Sequence, residues 1–346
     1  MATTADALPY ALMPVARTDG RFSDFKPYVP SINDAGVVCF QAGLRNGGTG
    51  LFTAKAGGAE VAEIAVSGSA SCPVAAFTSH PDINDHGDVT AYARLPSGDE
   101  VLALLRPGAA WQIVGSRQGL YGIGPLGPTM NESGRVALRA TTARGTASIE
   151  LWDGHQFTSV AEAGDTFSGF AGLPVVNAQG DVAFRASLRD SREGVFLRTC
   201  DGLCRPVAVT GGDFEDIAPF PTLNDLGAVA FVARPRSSAD WGIYVATSDG
   251  LTCWRGPYPD FASYRGVLMN RQGPAVFYGT PTGGTLGIYS GSRPKAQRLL
   301  GLGDPLLGST VTDFALNPVS VNERGQIAVR VALQNGRQYI LRGDPR

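Results

Sequence analysis

Val176-Asn177-Ala178-Gln179-Gly180-Asp181-Val182-Ala183-Phe184 is one copy of a phrase that returns seven times along the 346-residue chain: an apolar residue, Asn, two variable residues, Gly, and a short apolar run. The other copies are anchored at Asn33, Asn84, Asn131, Asn224, Asn270 and Asn322, so successive asparagines lie 51, 47, 46, 47, 46 and 52 residues apart. A near-constant period of this length marks a propeller, solenoid or other array, in which each unit buries its apolar faces against its neighbours. One unit reads as four short strands: Pro30 to Asn33, Val37 to Gly43, Gly50 to Ala54 and Val61 to Val66, separated by turns rich in Asn and Gly. That is the content of one propeller blade.

The Asn-x-x-Gly unit belongs at the hairpin between the first and second strands, where Asn bonds its own turn backbone and Gly supplies a positive φ. After the Gly, Val38 and Phe40, Val182 and Phe184, and Val229 and Phe231 share one face, with small residues such as Ala183 and Ala230 on the other. Both faces can pack, which suits sheets stacked around an axis. The last repeat lacks a fourth strand, and residues near 8 to 17 resemble the fourth strands elsewhere. They are expected to complete the seventh blade beside residues 318 to 342, leaving no open edge. The expectation is an all-β chain, residues 1 to 346 forming a single seven-bladed β-propeller of four-stranded antiparallel blades.

The Asn-x-x-Gly-x-x-x-Phe phrase resembles the tandem-repeat propeller proteins named for that motif, and it is similar in placement to the Pro-Asp-Gly turn of TolB-like propellers. The resemblance covers essentially the whole chain. It implies an architecture and is nearly silent on activity, because propellers host unrelated functions.

Composition narrows the function classes. Gly makes up 45 of 346 residues and charged residues 17%, the balance of a turn-rich, tightly packed chain. A net charge of −2 without a Lys/Arg run argues against a nucleic-acid groove or an anionic membrane surface. The opening Met1 to Asp6 has no basic start before an apolar core, and no apolar stretch approaches the ~18 residues of a membrane helix, so a soluble cytoplasmic protein is expected. Cys39, Cys72, Cys200, Cys204 and Cys253 are read as reduced thiols, with a hairpin bridge between Cys200 and Cys204 as the oxidising-compartment alternative. His80, His86 and His155 are the only histidines, which leaves zinc poorly provided for.

Several motifs dissolve into the repeat. Gly122-Ile123-Gly124-Pro125-Leu126-Gly127 matches a dinucleotide fingerprint, yet Pro125 and Pro128 lead into an inner strand and not into a helix, so it reads as an inter-blade loop. Gly-Asp recurs at Asp165, Asp213 and Asp304, where the Asp bonds its own turn. An axial calcium or magnesium is a minor option, because Ser31, Asp82, Thr129, Thr222 and Ser320 occupy equivalent inner positions and one of the five is an anion. No other cofactor is expected.

The candidate site lies where the segments entering the first strands converge on one end of the channel. In the second blade that entry runs from Phe77 to Asp82. On an extended strand His80 and Asp82 point the same way, so the carboxylate would orient an imidazole acting as acid or base; a hydrogen-bonded structural histidine is the alternative. In the sixth blade the entry carries Trp254, Tyr258, Tyr264 and Arg265, and Val267 stands where the first five repeats have Pro. Tyr28, Tyr121, Phe170, Glu215 and Phe220 occupy comparable segments and would complete an aromatic-walled mouth, or else wedge between blades. Arg45, Arg144, Arg189 and Arg236 recur in the loop between second and third strands and would attract an anion, or simply solvate the loop. Two functions follow. One is a cofactor-independent enzyme of secondary metabolism, a lyase, cyclase or alkylating catalyst. It would act on a small apolar or aromatic substrate, with His80 as acid or base, Asp82 orienting it, and Arg265 or a tyrosine stabilising negative charge. In architecture alone this resembles the propeller half of cyclophane-forming alkylating enzymes. The other is a non-catalytic module holding a protein, peptide or glycan on one flat face.

Overall fold

The computed structural model describes residues 9–25, 27–57, 60–115, 120–256, 260–291 and 296–346. Seven antiparallel sheets follow one another along the chain, one per repeat, as the period predicts. Closure is as expected: the strand Tyr10–Arg17 pairs with Gln338–Pro345 and becomes the outer strand of the last sheet, from which the chain passes directly into the first blade. Among the described residues no helix is long and apolar enough to cross a membrane.

The repeat asparagines explain their own recurrence. In each turn the side-chain oxygen caps backbone N–H groups of its own hairpin, such as Asn33 to Val37 at 2.9 Å and Asn177 to Asp181 at 2.9 Å. The amide nitrogen then reaches the backbone carbonyl of the next blade's Asn: Asn33 to Asn84 at 3.0 Å, Asn131 to Asn177 at 2.8 Å, Asn224 to Asn270 at 3.1 Å, and Asn322 back to Asn33 at 2.9 Å. One side chain therefore closes a turn and joins two blades, a dual task that needs an amide with both donor and acceptor. In five of the seven turns the residue after the Asn adds a second seam. Asp34, Asp85, Glu132, Asp225 and Glu323 each accept a backbone N–H from the preceding blade. Burial, joined by repulsion from their neighbours, holds the Asp34, Glu132 and Glu323 carboxyls above their usual range.

The apolar run after the Gly forms the second strand, and in four of the seven blades its aromatic position is the heart of the blade. Phe40, Phe184, Phe231 and Phe277 are fully buried. They sit in tilted, stacked and edge-to-face clusters, such as Phe167, Phe170, Phe184 and Phe196 in the fourth blade. Each such ring contributes roughly 2–3 kcal/mol from burial alone.

What positions the site is a break in the innermost strands. In the second blade this strand is two pieces, Ala76–Phe77 and Asp82–Ile83, and the first, third and fifth blades are interrupted at the same place. The fourth and sixth keep one long strand with irregular register instead, and the seventh follows Ser309–Ala315 with a short 3-10 turn, Pro318–Ser320. The interrupted segments crowd toward one end of the channel.

Candidate functional site

The broken segments enclose a cavity of about 650 Å³ at the channel mouth, to which all seven blades contribute. Its walls are mostly apolar, with Val29, Leu126, Leu173, Phe220, Val267 and Phe314 prominent. A few polar groups converge among them: Thr78, His80, Arg265, Asp313 and Asn317. Size and lining are those of a small-molecule pocket. Leu126 holds a positive φ of 85° at this wall, a conformation that a non-glycine residue adopts at a cost.

A rule unread in the sequence supports these segments. Eight residues after each repeat Asn stand Gln41, Tyr92, Arg139, Arg185, Val232, Tyr278 and Arg330, and five of them donate to a carbonyl freed in the next blade's inner segment. Gln41 reaches Phe77 at 3.2 Å, Arg139 reaches Gly172 at 3.5 Å, Arg185 reaches Ile217 at 3.2 Å, Tyr278 reaches Leu316 at 2.8 Å and Arg330 reaches Tyr28 at 3.1 Å. A broken strand leaves carbonyls that must find donors, and these side chains supply them across the blade boundary.

His80 lies in the cavity wall, 3% exposed. Its Nε2 is 3.1 Å from the Pro128 carbonyl, which can only accept, so Nε2 carries the proton, and the Asn317 amide nitrogen lies 3.4 Å from both ring nitrogens. Burial pulls its pKa down to about 4, against the upward pull of the Pro128 and Leu126 carbonyls, and the ring is neutral at physiological pH. The imidazole packs on Gly127, where a Cβ would stand 2.5 Å from its Cε1. The third glycine of the fingerprint-like loop is thus the seat of a histidine.

His80 makes stability depend on pH. Its folded pKa is below the unfolded value of ~6.5, so the unfolded chain binds the extra proton between pH 4 and 6.5 and stability rises with pH across that window, by up to about 1.4 kcal/mol per pH unit. Asp82, pushed up to about 8, contributes a slope of the opposite sign over the same range, so urea denaturation at several pH values should show the His80 contribution as the difference between the wild type and His80→Gln, a difference that grows with pH from 4 to 6.5. An unchanged slope in the variant would rule out a buried neutral imidazole.

Of the expected site residues, the structure brings Tyr28, His80, Phe220 and Arg265 together in the mouth. Asp82 does not join them. It lines a smaller polar cavity of about 170 Å³ beside the Asn turns, where it accepts the backbone N–H groups of Ile83 and Met130 at 2.9 and 2.7 Å. Burial pushes its pKa up to about 8 although both N–H groups pull it down. Thr129 and Ser320 are likewise blade staples, bonded to Pro174 and Pro30 carbonyls. Phe77, Phe170 and Tyr264 face the cores of their blades: Phe77 beside Trp111, Phe170 against Phe167 and Phe184, and Tyr264 stacked on Phe261 with its hydroxyl bonded by Arg255. Glu215 is exposed, 3.3 Å from Arg236. Arg144 is an exposed loop residue, and Arg45 bonds the Thr18 carbonyl; neither lines the mouth. Tyr121 belongs to the inner strand Leu120–Ile123, but its side chain, like all of Tyr258, lies outside the described residues. None of the five cysteines forms a disulfide, and Cys200 and Cys204 are exposed at a hairpin tip.

Residues 130–253, about a third of the chain, match the model of a family of unknown function, DUF7453. No curated protein matches in sequence. Among solved structures, an oligogalacturonate lyase in complex with manganese is 11% identical, covering 98% of this chain and 99% of that one at a TM-score of 0.53. A structure from a study of two prolyl endopeptidases is 9% identical, covering 92% of this chain and 50% of that one at 0.58. Prolyl oligopeptidase B from Galerina marginata is 11% identical, covering 90% and 47% at 0.56. The chain spans nearly the whole of the lyase and about half of each peptidase. At these identities the likeness is one of fold: this chain is similar to the propellers they share.

Proposed function

We propose that the chain binds a small, largely apolar or aromatic molecule in the channel mouth. The observation that carries this is the convergence of segments from all seven blades on one apolar cavity with a few polar groups in its wall. A propeller has a central channel whatever it does, and it is the apolar lining with a few polar groups that gives this mouth the character of a pocket. The expected setting is cytoplasmic secondary metabolism, within the Asn-x-x-Gly-x-x-x-Phe propellers.

The chemistry open to such a site is proton abstraction without a cofactor. A histidine with a depressed pKa is a base and not an acid at neutral pH, and Arg265 would face the negative charge that develops. A lyase, cyclase or alkylating step fits that pair. Manganese accompanies the lyase neighbour, but among the described residues no three His, Cys, Asp or Glu side chains are grouped to hold a metal. One observation favours a second reading, ligand holding without catalysis: both His80 nitrogens already face protein groups, and among the described residues no carboxylate is hydrogen-bonded or ion-paired to the ring.

Binding is tested with a neutral probe, 2-naphthol, by protein NMR. Shifts should be confined to the mouth segments, and Val29→Trp, which narrows the opening, should weaken binding about tenfold or more. Unaltered affinity in that variant would move the site elsewhere. Once a substrate is in hand, His80→Gln separates the two readings: turnover lost with binding retained supports the base, and unchanged turnover ends its catalytic role.

A further inference from the structure

Arg265 differs from the other arginines around the channel. Arg139, Arg185 and Arg330 are committed to backbone carbonyls of the neighbouring blade, and the last two also hold Glu193 and Asp313. Arg265 is exposed in the cavity wall, and among the described residues its side chain makes no hydrogen bond or ion pair.

Its position is built. In the long inner strand Phe261–Asn270, Tyr264 pairs with Gly279 and Gly266 with Tyr278, so Arg265 is the extra residue of a β-bulge, opposite no partner. Bulges re-aim a side chain out of the regular alternation and are common beside functional sites. Here Tyr264 stays in the blade core while its neighbour turns to the mouth.

The charge around it is simple. Asp313, the carboxylate of the wall, is held by Arg330 at 2.9 Å, and His80 is neutral. Among the described residues of the wall that leaves Arg265 as the one guanidinium without a partner. Building on the reading of the mouth as a small-molecule site, we propose that Arg265 is the recognition group for a single carboxylate, so that the cavity takes aromatic or alicyclic monocarboxylates. The planar fork of a guanidinium matches a carboxylate with two parallel hydrogen bonds, and a monoanion balances its charge. A phosphate dianion would bring an unbalanced charge into an apolar enclosure.

The experiment compares probes on one ring system, the isosteric pair 2-naphthoate and 2-naphthamide and the dianion 2-naphthyl phosphate, by calorimetry and NMR on the full chain. Naphthoate should bind about tenfold tighter than naphthamide or more, as a charge-assisted pair does. Arg265→Gln, an exposed position whose loss leaves the core intact, should bring naphthoate down to the naphthamide affinity measured in the same variant, erasing the preference. Arg265→Lys should recover part of the preference, since it restores charge without the fork. Equal affinity for naphthoate and naphthamide in the wild type, with both weakened by Val29→Trp, would overturn the carboxylate assignment and leave the mouth standing. Tighter binding of the phosphate would also overturn it. If no probe binds at millimolar concentration, or Val29→Trp changes nothing, the mouth reading falls and the assignment of Arg265 falls with it.

Discussion

Deleting the strand Tyr10–Arg17 should open the ring and cost most of the folding free energy. The strand covers the edge of Gln338–Pro345 along its length and buries Tyr10, Val15 and Ala16, with the Tyr10 hydroxyl bonded to the Gly325 carbonyl at 2.8 Å. Burying one large and several medium side chains is worth roughly 5 kcal/mol or more, comparable to the whole stability of many domains. The strand is also the covalent tie between the last blade and the first. Without it, that boundary keeps side-chain bonds such as Asn322 to Asn33, Arg330 to Tyr28 and Arg342 to Gly36, and the shared apolar core of Ala328 and Ile340 with Phe25 and Val38. The truncated chain is expected to melt roughly 10 °C lower or to associate through its bared edge. A synthetic peptide of residues 9 to 18 added in trans should restore part of the loss. Melting within a few degrees of the intact chain, as a monomer, would show that closure does not depend on this strand.

Blade number, closure and the place of the Asn turns were legible because each rests on a local signal repeated seven times. The convergence of Tyr28, His80, Phe220 and Arg265 was legible too, since entry segments of a closed ring have one place to meet. Asp82 was misplaced for a definite reason. The rule that residues two apart share a face holds on a continuous strand, and the second blade breaks between Phe77 and Asp82. Phe170 and Tyr264 went to the core for a related reason, because bulges at Ala171/Val175 and Tyr264/Gly266 decide which residue turns inward. No pattern of apolar residues marks a bulge. The supporting side chains eight residues after each Asn did leave a trace: Gln, Tyr or Arg recurs in a run otherwise apolar. Its meaning depends on the strand breaks, which only coordinates reveal.

Gly172→Ala should damage the mouth more than any other single-methyl change. Gly172 has a φ of +66°, and a Cβ there would stand 1.6 Å from the Pro219 carbonyl oxygen in the interrupted segment of the fifth blade. Backbone is on both sides of that contact, so no rotamer relieves it. The control is Gly227→Ala, in a repeat turn with a φ of +76° and open space around the added methyl. It carries only the left-handed backbone penalty of about 1–2 kcal/mol. Gly172→Ala carries that penalty and must also displace Pro219 and, with it, Phe220 of the cavity wall, adding about 2 kcal/mol or more. Urea midpoints of the two variants read the difference. Binding of 2-naphthol separates them further, since Gly227 is remote from the mouth and its variant should keep wild-type affinity while Gly172→Ala loses about tenfold or more. Equal destabilisation by the two substitutions, with binding intact in both, would mean that the fourth and fifth blades yield freely at this contact, and the cavity would then be a loose gap between segments and no preformed site.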